Sequence, residues 1–274
     1  MSTLTAVNKK RMSKMAREIN AIITIAARDV TLAIKTPAML IFNLAMPMFF
    51  IGIMGGSLSQ NLAGGMGFSY NQFVMVGIVV NTLFMMTITG ITSLVQDRDI
   101  GFTQGILVSP ISRYSIILGK IFGSSFSAII QLLGTFIIAF IMGIPLTFSQ
   151  VLLLLILSPF ICLVASSIGI MVVGLVHDQR LANIVAMVLT MPQMFLSGVL
   201  IPINNSSGIL KILGELMPMT YCLDLVRDIF YSGTPEYDAI VMHKPLFNLT
   251  IILCFTILSL VIGTYAFVRS ETNK

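Results

Sequence analysis

The chain contains no tryptophan and very little charge. Lys, Arg, Asp and Glu make up 10% of its 274 residues, where a soluble domain carries about 25%. Hydrophobic residues make up 56%, and the mean hydropathy is +0.97. An ordinary water-soluble fold is excluded, and the chain belongs in a bilayer. Without tryptophan, anchoring at the membrane surface falls to Tyr, Phe, Lys and Arg. Cysteine is scarce as well. Cys162, Cys222 and Cys254 are scattered, odd in number and free of any Cys-x-x-Cys spacing, so they read as small apolar residues rather than a disulfide or zinc framework. His177 and His243 stand apart in the sequence, so no metal site is expected. The chain is polar and basic ahead of its first apolar stretch, and no cleavable signal peptide is expected.

Catalytic patterns are also missing. There is no His-Glu-x-x-His, no Gly-x-Ser-x-Gly and no phosphate-binding Gly-x-x-x-x-Gly-Lys-Ser/Thr. The apolar stretches hold almost no ionisable side chain. Lys120 sits near the start of one of them, close enough to the membrane surface to snorkel. A proton-coupled carrier needs a titratable group within the membrane, and none is evident. Any energy input is therefore expected from outside the chain. Of the 11 acids, Glu215, Asp224, Asp228, Glu236 and Asp238 read as solvated surface.

A helix needs about 20 apolar residues to span a bilayer. Six stretches qualify: residues 38–58, 72–96, 114–142, 151–176, 181–203 and 246–268. The expected fold is an all-α integral membrane protein of six transmembrane helices. Residues 1–36 form a cytoplasmic tail and helix, and residues 37–274 form one membrane domain. Within residues 16–36, Ile19, Ile22, Ile23, Ala26, Val30, Ala33 and Ile34 recur at helical spacing. Arg17, Thr24, Arg28 and Lys35 share the other side, the pattern of a helix lying in the membrane plane. Pro37 separates this helix from the first span.

With six spans both termini lie on one side. That side carries 13 of the 16 Lys and Arg residues, and the other carries only Lys211, Arg227 and Lys244. By the positive-inside rule the termini and residues 97–113 are cytoplasmic. The net charge of +5 thus reads as contact with the membrane surface, with membrane lipids as partners and no nucleic acid. Neutral polar groups dot the spans. Asn81, Met85, Thr89 and Thr92 lie along one helical face, Gln131 and Thr135 occupy the third span, and Thr190, Pro192 and Gln193 cluster in the fifth. They serve either as interhelical hydrogen bonds or as the lining of a pathway, for which Asn81, Met85, Thr89, Gln131 and Gln193 are the candidates.

Residues 97–113 form the one long polar interruption of the first half. Asp97-Arg98-Asp99 opens it, Gly101-Phe102 follows, then Leu107-Val108-Ser109-Pro110-Ile111-Ser112-Arg113, and Leu118-Gly119-Lys120 lies just beyond. Asp97 and Asp99 stand where negative charge would favour the N-terminus of a short helix. A second block reads Phe195-Leu196-Ser197-Gly198-Val199-Leu200-Ile201-Pro202. A third reads Met217-Pro218-Met219-Thr220-Tyr221 with Asp224 and Arg227. In this order the blocks resemble the permease subunits of type 2 ABC exporters, in particular their daunorubicin and multidrug branch. Thr103, Gln104 and Gly105 depart from that pattern, which often has longer apolar or charged residues there.

The resemblance implies specific roles. Asp97, Arg98, Asp99, Gly101, Phe102, Leu107, Ser109, Pro110 and Arg113 would form a coupling helix contacting a cytoplasmic ABC ATPase subunit. The helix bearing Arg17, Arg28 and Lys35 would be the connecting helix against that subunit. Residues 204–231 would form re-entrant extracellular helices before the sixth span, with Pro202, Pro218, Tyr221 and Arg227 in this cap. Two permease chains, as a homodimer, would work with two ATPases. ATP and Mg would bind only the partner, and this chain would carry no cofactor and catalyse nothing. The expected function is export of a hydrophobic or amphipathic substrate (drug-like, lipid or peptide) across the plasma membrane by alternating access. An ion-coupled secondary carrier and a non-transporting membrane assembly subunit are the alternatives.

Overall fold

A computed structural model describes residues 13–55, 68–99, 111–176, 178–204 and 206–272. Among these residues all regular structure is helical. In chain order the helices are α1 (Lys14–Lys35), α2 (Pro37–Phe49, continuing as a π-helical turn Phe50–Gly55), α3 (Tyr70–Asp99), α4 (Arg113–Ile141) and α5 (Phe148–Leu175). They continue with α6 (Gln179–Leu196), α7 (Ile209–Leu216), α8 (Pro218–Phe230), α9 (Tyr237–Ile240) and α10 (Pro245–Thr272).

Local chemistry sets many of the boundaries. Ser13, Ser112, Thr147 and Asp178 cap α1, α4, α5 and α6 by accepting a backbone N–H of the first turn. Thr147 and Gln150 form a reciprocal capping box. Pro37 opens α2 and Pro218 opens α8, positions where a missing N–H costs nothing. Pro47 inside α2 removes an N–H from the ladder, and the π-helical turn begins three residues later.

Four helical segments are long and apolar enough to cross a membrane: Tyr70–Arg98, Arg113–Ile141, Phe148–Leu175 and Tyr237–Ala266. A fifth results if α1 and the α2 segment, bent by 77°, count together as one broken span. The bend falls where an in-plane helix was expected to meet the first span. The sequence-predicted fifth span, residues 181–203, is shortened. Its helix α6 has 18 residues and ends at Leu196, because Gly198 adopts φ +79° and turns the chain away. At 1.5 Å per residue α6 reaches only about 27 Å, and Gln179, Arg180, Asn183 and Gln193 dilute its apolar character.

Helix α3 is the centre of the bundle. In its most apolar window 78% of residues are buried, against 28% for the last segment. It packs on α4, α5, α6, α8 and the π-helical turn, whereas α10 packs on α5 and α8. Helix α1 lies against α4. One apolar core fills the half built around Phe73, Val80, Leu132, Leu154 and Val226. A smaller one, with Ile25, Ile91, Val95, Ile116 and Val173, fills the half where α1 joins.

Candidate functional site: a charge lock around residues 100–110

Two glycines allow α1 to approach α4 closely. Gly119 and Gly123 stand one turn apart on α4. A Cβ added at Gly119 would lie 2.8 Å from Ile25 Cβ, and one at Gly123 would lie 2.8 Å from Asp29 Cβ. This small-x-x-x-small face brings α1 directly over Lys120, between the two glycines. The Lys120 side chain is 3% exposed, with Nζ 2.9 Å from Asp97 Oδ2 and 3.0 Å from Asp29 Oδ2. Arg28 completes the group by gripping Asp97 with both nitrogens, Nη2 to Oδ1 at 2.7 Å and Nη1 to Oδ2 at 3.0 Å. Arg28 Nη1 also lies 3.6 Å from Asp29 Oδ1. Two cations and two anions from three helices thus sum to zero, so the cluster can be held away from water.

A second contact lies farther along α1. Glu18 accepts hydrogen bonds from the Ser112 backbone N–H at 2.9 Å and the Ser115 hydroxyl at 2.6 Å. These bonds, the Ser115 hydroxyl foremost, hold its carboxyl below the ordinary value of 4.5. Burial pushes the Asp29 carboxyl above its ordinary value of 3.8, with Lys120 opposing the shift. Helix α1 therefore holds both flanks of residues 100–110: Asp97 on the incoming side, and Ser112, Ser115 and Lys120 on the outgoing side.

Several sequence expectations change here. Lys120 does not snorkel, because α1 covers it and two carboxylates hold it inside. Asp97 stands inside a long helix. It belongs to the last turn of α3, is 6% exposed and is ion-paired within the chain. Arg28 leaves the polar face for the same interior pair. Arg98 also ends α3 and directs Nη1 to the Val173 carbonyl at 3.4 Å. Asp99 is the last residue of α3, and Arg113, half-buried, is the first of α4. Arg17 is half-buried on α1, and Lys35 is exposed in its last turn. Gly101, Phe102, Leu107, Ser109 and Pro110 lie outside the described residues. Glu18, Asp29 and the Gly119/Gly123 face escaped the sequence reading. Their signal was present, since charges in otherwise apolar helices must find partners, and two glycines flanked the one lysine.

The pathway candidates differ in exposure. On α3, Asn81 is buried, Met85 half-buried and Thr89 exposed. Gln131 is 2% exposed, with Nε2 3.5 Å from the Leu40 carbonyl of α2. Gln193 is buried and donates to the Leu189 carbonyl of its own helix at 2.9 Å.

At the other end of the bundle the second and third sequence blocks meet. Arg227, 4% exposed, donates to the Gly198 carbonyl at 2.9 Å, and its guanidinium lies 3.7 Å from the Phe73 ring centroid. The Tyr70 hydroxyl donates to the Leu200 carbonyl at 2.7 Å, pinning the turn that carries the half-buried Pro202 against α3. Pro218 starts α8, and the Tyr221 hydroxyl donates to the Glu215 carbonyl at 2.7 Å. Thr220 similarly bonds the Gly214 carbonyl, so both satisfy the end of α7. Asp224 is not solvated surface. It is 3% exposed and accepts from the Met242 and His243 N–H groups and Asn248 Nδ2, each at 2.8 Å. Its charge faces the start of α10, where negative charge is favoured. Asp228 accepts from the Tyr237 hydroxyl.

Residues 20–231 match the profile of the family described as ABC-2 type transporter. The chain belongs to that family. It is the membrane permease component of an ABC transporter, and the ATPase is a separate subunit with which such permeases associate. Among similar proteins is one of Cyanophora paradoxa named "Putative transport permease ycf38", 25% identical over 79% of this chain and 76% of that protein. Nodulation protein J of Neorhizobium galegae is 27% identical over 80% and 83%. A protein of Escherichia coli K12 named "Probable multidrug ABC transporter permease YbhR" is 27% identical over 59% of this chain and 44% of its own length. All three sequence blocks, residues 97–120, 195–202 and 217–227, fall inside the matched region.

Proposed function

We propose that this ABC-2 permease is the membrane half of an ATP-driven exporter in the plasma membrane, with six spans, both termini cytoplasmic and residues 100–110 as its coupling helix. The carrying observation is the charge lock. A segment tethered between Asp97 and Ser112 cannot be pushed without loading α3 and α4 together, and α1 ties the two. Closure of the ATPase subunits would therefore reach the buried central helix α3 directly, as alternating access requires.

Two permease chains form the working unit in this reading. Helix α6 supports it with a stripe of Leu181, Ile184, Val188, Met191 and Phe195, all exposed. Their spacing of three and four is that of a helix–helix seam. The substrate is hydrophobic or amphipathic, since the exposed polar groups such as Thr89 are neutral. Helices α7 and α8, with Pro202, Pro218, Tyr221 and Arg227, form the extracellular cap above the pathway.

The test is purification of the tagged chain with its ATPase, followed by substrate-stimulated ATP hydrolysis and transport in proteoliposomes. Gly101→Trp and Pro110→Ala should each lower both activities without altering membrane insertion. Unchanged transport in both variants would refute the coupling role. Transport by the purified chain alone would favour an ion-coupled carrier.

A further inference from the structure

We propose that the groove between α4, α5 and α10 is a binding site for one anionic phospholipid. The groove encloses about 560 Å³, within the roughly 300–1,000 Å³ range of small-ligand sites. Its walls are apolar: Leu118 and Ile121 from α4, Leu163 from α5 and Val261 from α10. At one end the chemistry changes. Tyr114, Thr264 and Tyr265 line that end, and both tyrosines are exposed, by 59% and 66%. Arg269 lies one turn beyond Tyr265, is exposed, and places Nη1 3.5 Å from the Tyr265 hydroxyl.

An apolar channel ending in two phenols and a guanidinium matches a lipid lying along it. The acyl chain fills the groove, and the headgroup phosphate meets Arg269 and the hydroxyls. Charge selects among lipids. A zwitterionic headgroup offsets the arginine with its own cation, whereas an anionic one does not. The site rests on the proposed topology in one respect, since that topology puts this end at the cytoplasmic leaflet, where anionic lipid gathers. A second permease chain is the weaker occupant, because the exposed seam proposed for it lies on α6, which contributes nothing to the groove.

The absence of tryptophan makes the test clean. Leu118→Trp places a single fluorophore in the groove, and Val261→Trp does so from the opposite wall should the first variant fold poorly. The full permease is reconstituted into symmetric vesicles containing brominated phosphatidylglycerol or brominated phosphatidylcholine, and quenching gives relative affinities. Phosphatidylglycerol should bind about five-fold tighter, the ratio expected for one cation near an anionic surface, and adding Arg269→Gln should bring that ratio near one. Leu253→Trp, on α10 away from the groove, should show no preference. Equal quenching by the two lipids in both groove reporters would overturn the proposal. So would a preference that survives Arg269→Gln or recurs at Leu253→Trp. Relief of quenching by an added hydrophobic dye would assign the groove to transported cargo and also overturn it. Failure of the proposed topology leaves this readout unchanged, because both vesicle leaflets have one composition, and is read separately from labelling of cysteines introduced at the termini.

Discussion

Replacing Lys120 by methionine removes the cation that lies within 3.0 Å of both carboxylates of the charge lock while nearly conserving its length. Breaking one partner from a buried ion pair costs about 3–5 kcal/mol. Asp97 keeps its two-pronged contact with Arg28 at 2.7 and 3.0 Å, so the loss falls on Asp29. That side chain is 11% exposed and is left with Arg28 at 3.6 Å. The lower end of the range applies, about 3 kcal/mol, or roughly a hundred-fold in the equilibrium that docks α1. Hydrogen exchange of the purified permease in nanodiscs should show amide protection collapsing along α1 while α5 and α10 keep theirs. The double variant Asp29→Asn/Lys120→Met restores neutrality and should regain most of the loss, so the two substitutions should couple by about 2 kcal/mol in a double-mutant cycle. The pH dependence has a definite sign. Burial raises the Asp29 carboxyl above 3.8 already in the natural protein, and losing Lys120 raises it further. An acid whose folded value is raised destabilises the ionised state, so the Lys120→Met defect should shrink as pH falls through that value and be largest at neutral pH. Unchanged α1 protection in Lys120→Met, or strictly additive effects in the double variant, would refute the ion-pair reasoning.

Other perturbations probe neighbouring contacts. Gly123→Leu should lift α1 from α4, because even a Cβ would meet Asp29 Cβ at 2.8 Å; cysteine crosslinking between α1 and α4 should fall while bundle stability is kept. Glu18→Gln should loosen the start of α4. In the natural protein the Glu18 contribution is fully present above pH 4.5 and is lost as pH falls through its lower folded value, which exchange of the Ser115 amide in mild acid would read. Asp224→Ala strands one buried donor on α10 and two half-buried donors just before it and should cost about 3 kcal/mol, measured as a lowered Tm in detergent. Asp224→Asn keeps one acceptor oxygen and should lose less.

Much of the bundle could be read in advance because its signals are local. Twenty-residue apolar runs announced α3, α4, α5 and α10, and helical spacing of Ile and Ala residues announced α1. The fifth span failed at its end, since residues 197–203 are as apolar as a helix but Gly198 takes a left-handed turn there. The polar stretch at 97–113 hid the burial of its first residues. Asp97 looks like a loop carboxylate beside Arg98 and Asp99, and only its partners reveal the last turn of a buried helix. Asp224 was misread for the same reason, because an acid among apolar neighbours announces no burial until its donors, 18 to 24 residues away, are in place.

The sequence by itself therefore determined the solvent, the helices and the family, all of which depend on composition and on neighbours within a turn or a span. The tertiary structure decided which charges are buried and what they hold. Arg28 finds Asp97 across 69 residues and Lys120 finds Asp29 across 91. No spacing encodes those distances. They arise because two glycines let one helix lie flat on another, and because a charge removed from water must take the partner that packing brings to it.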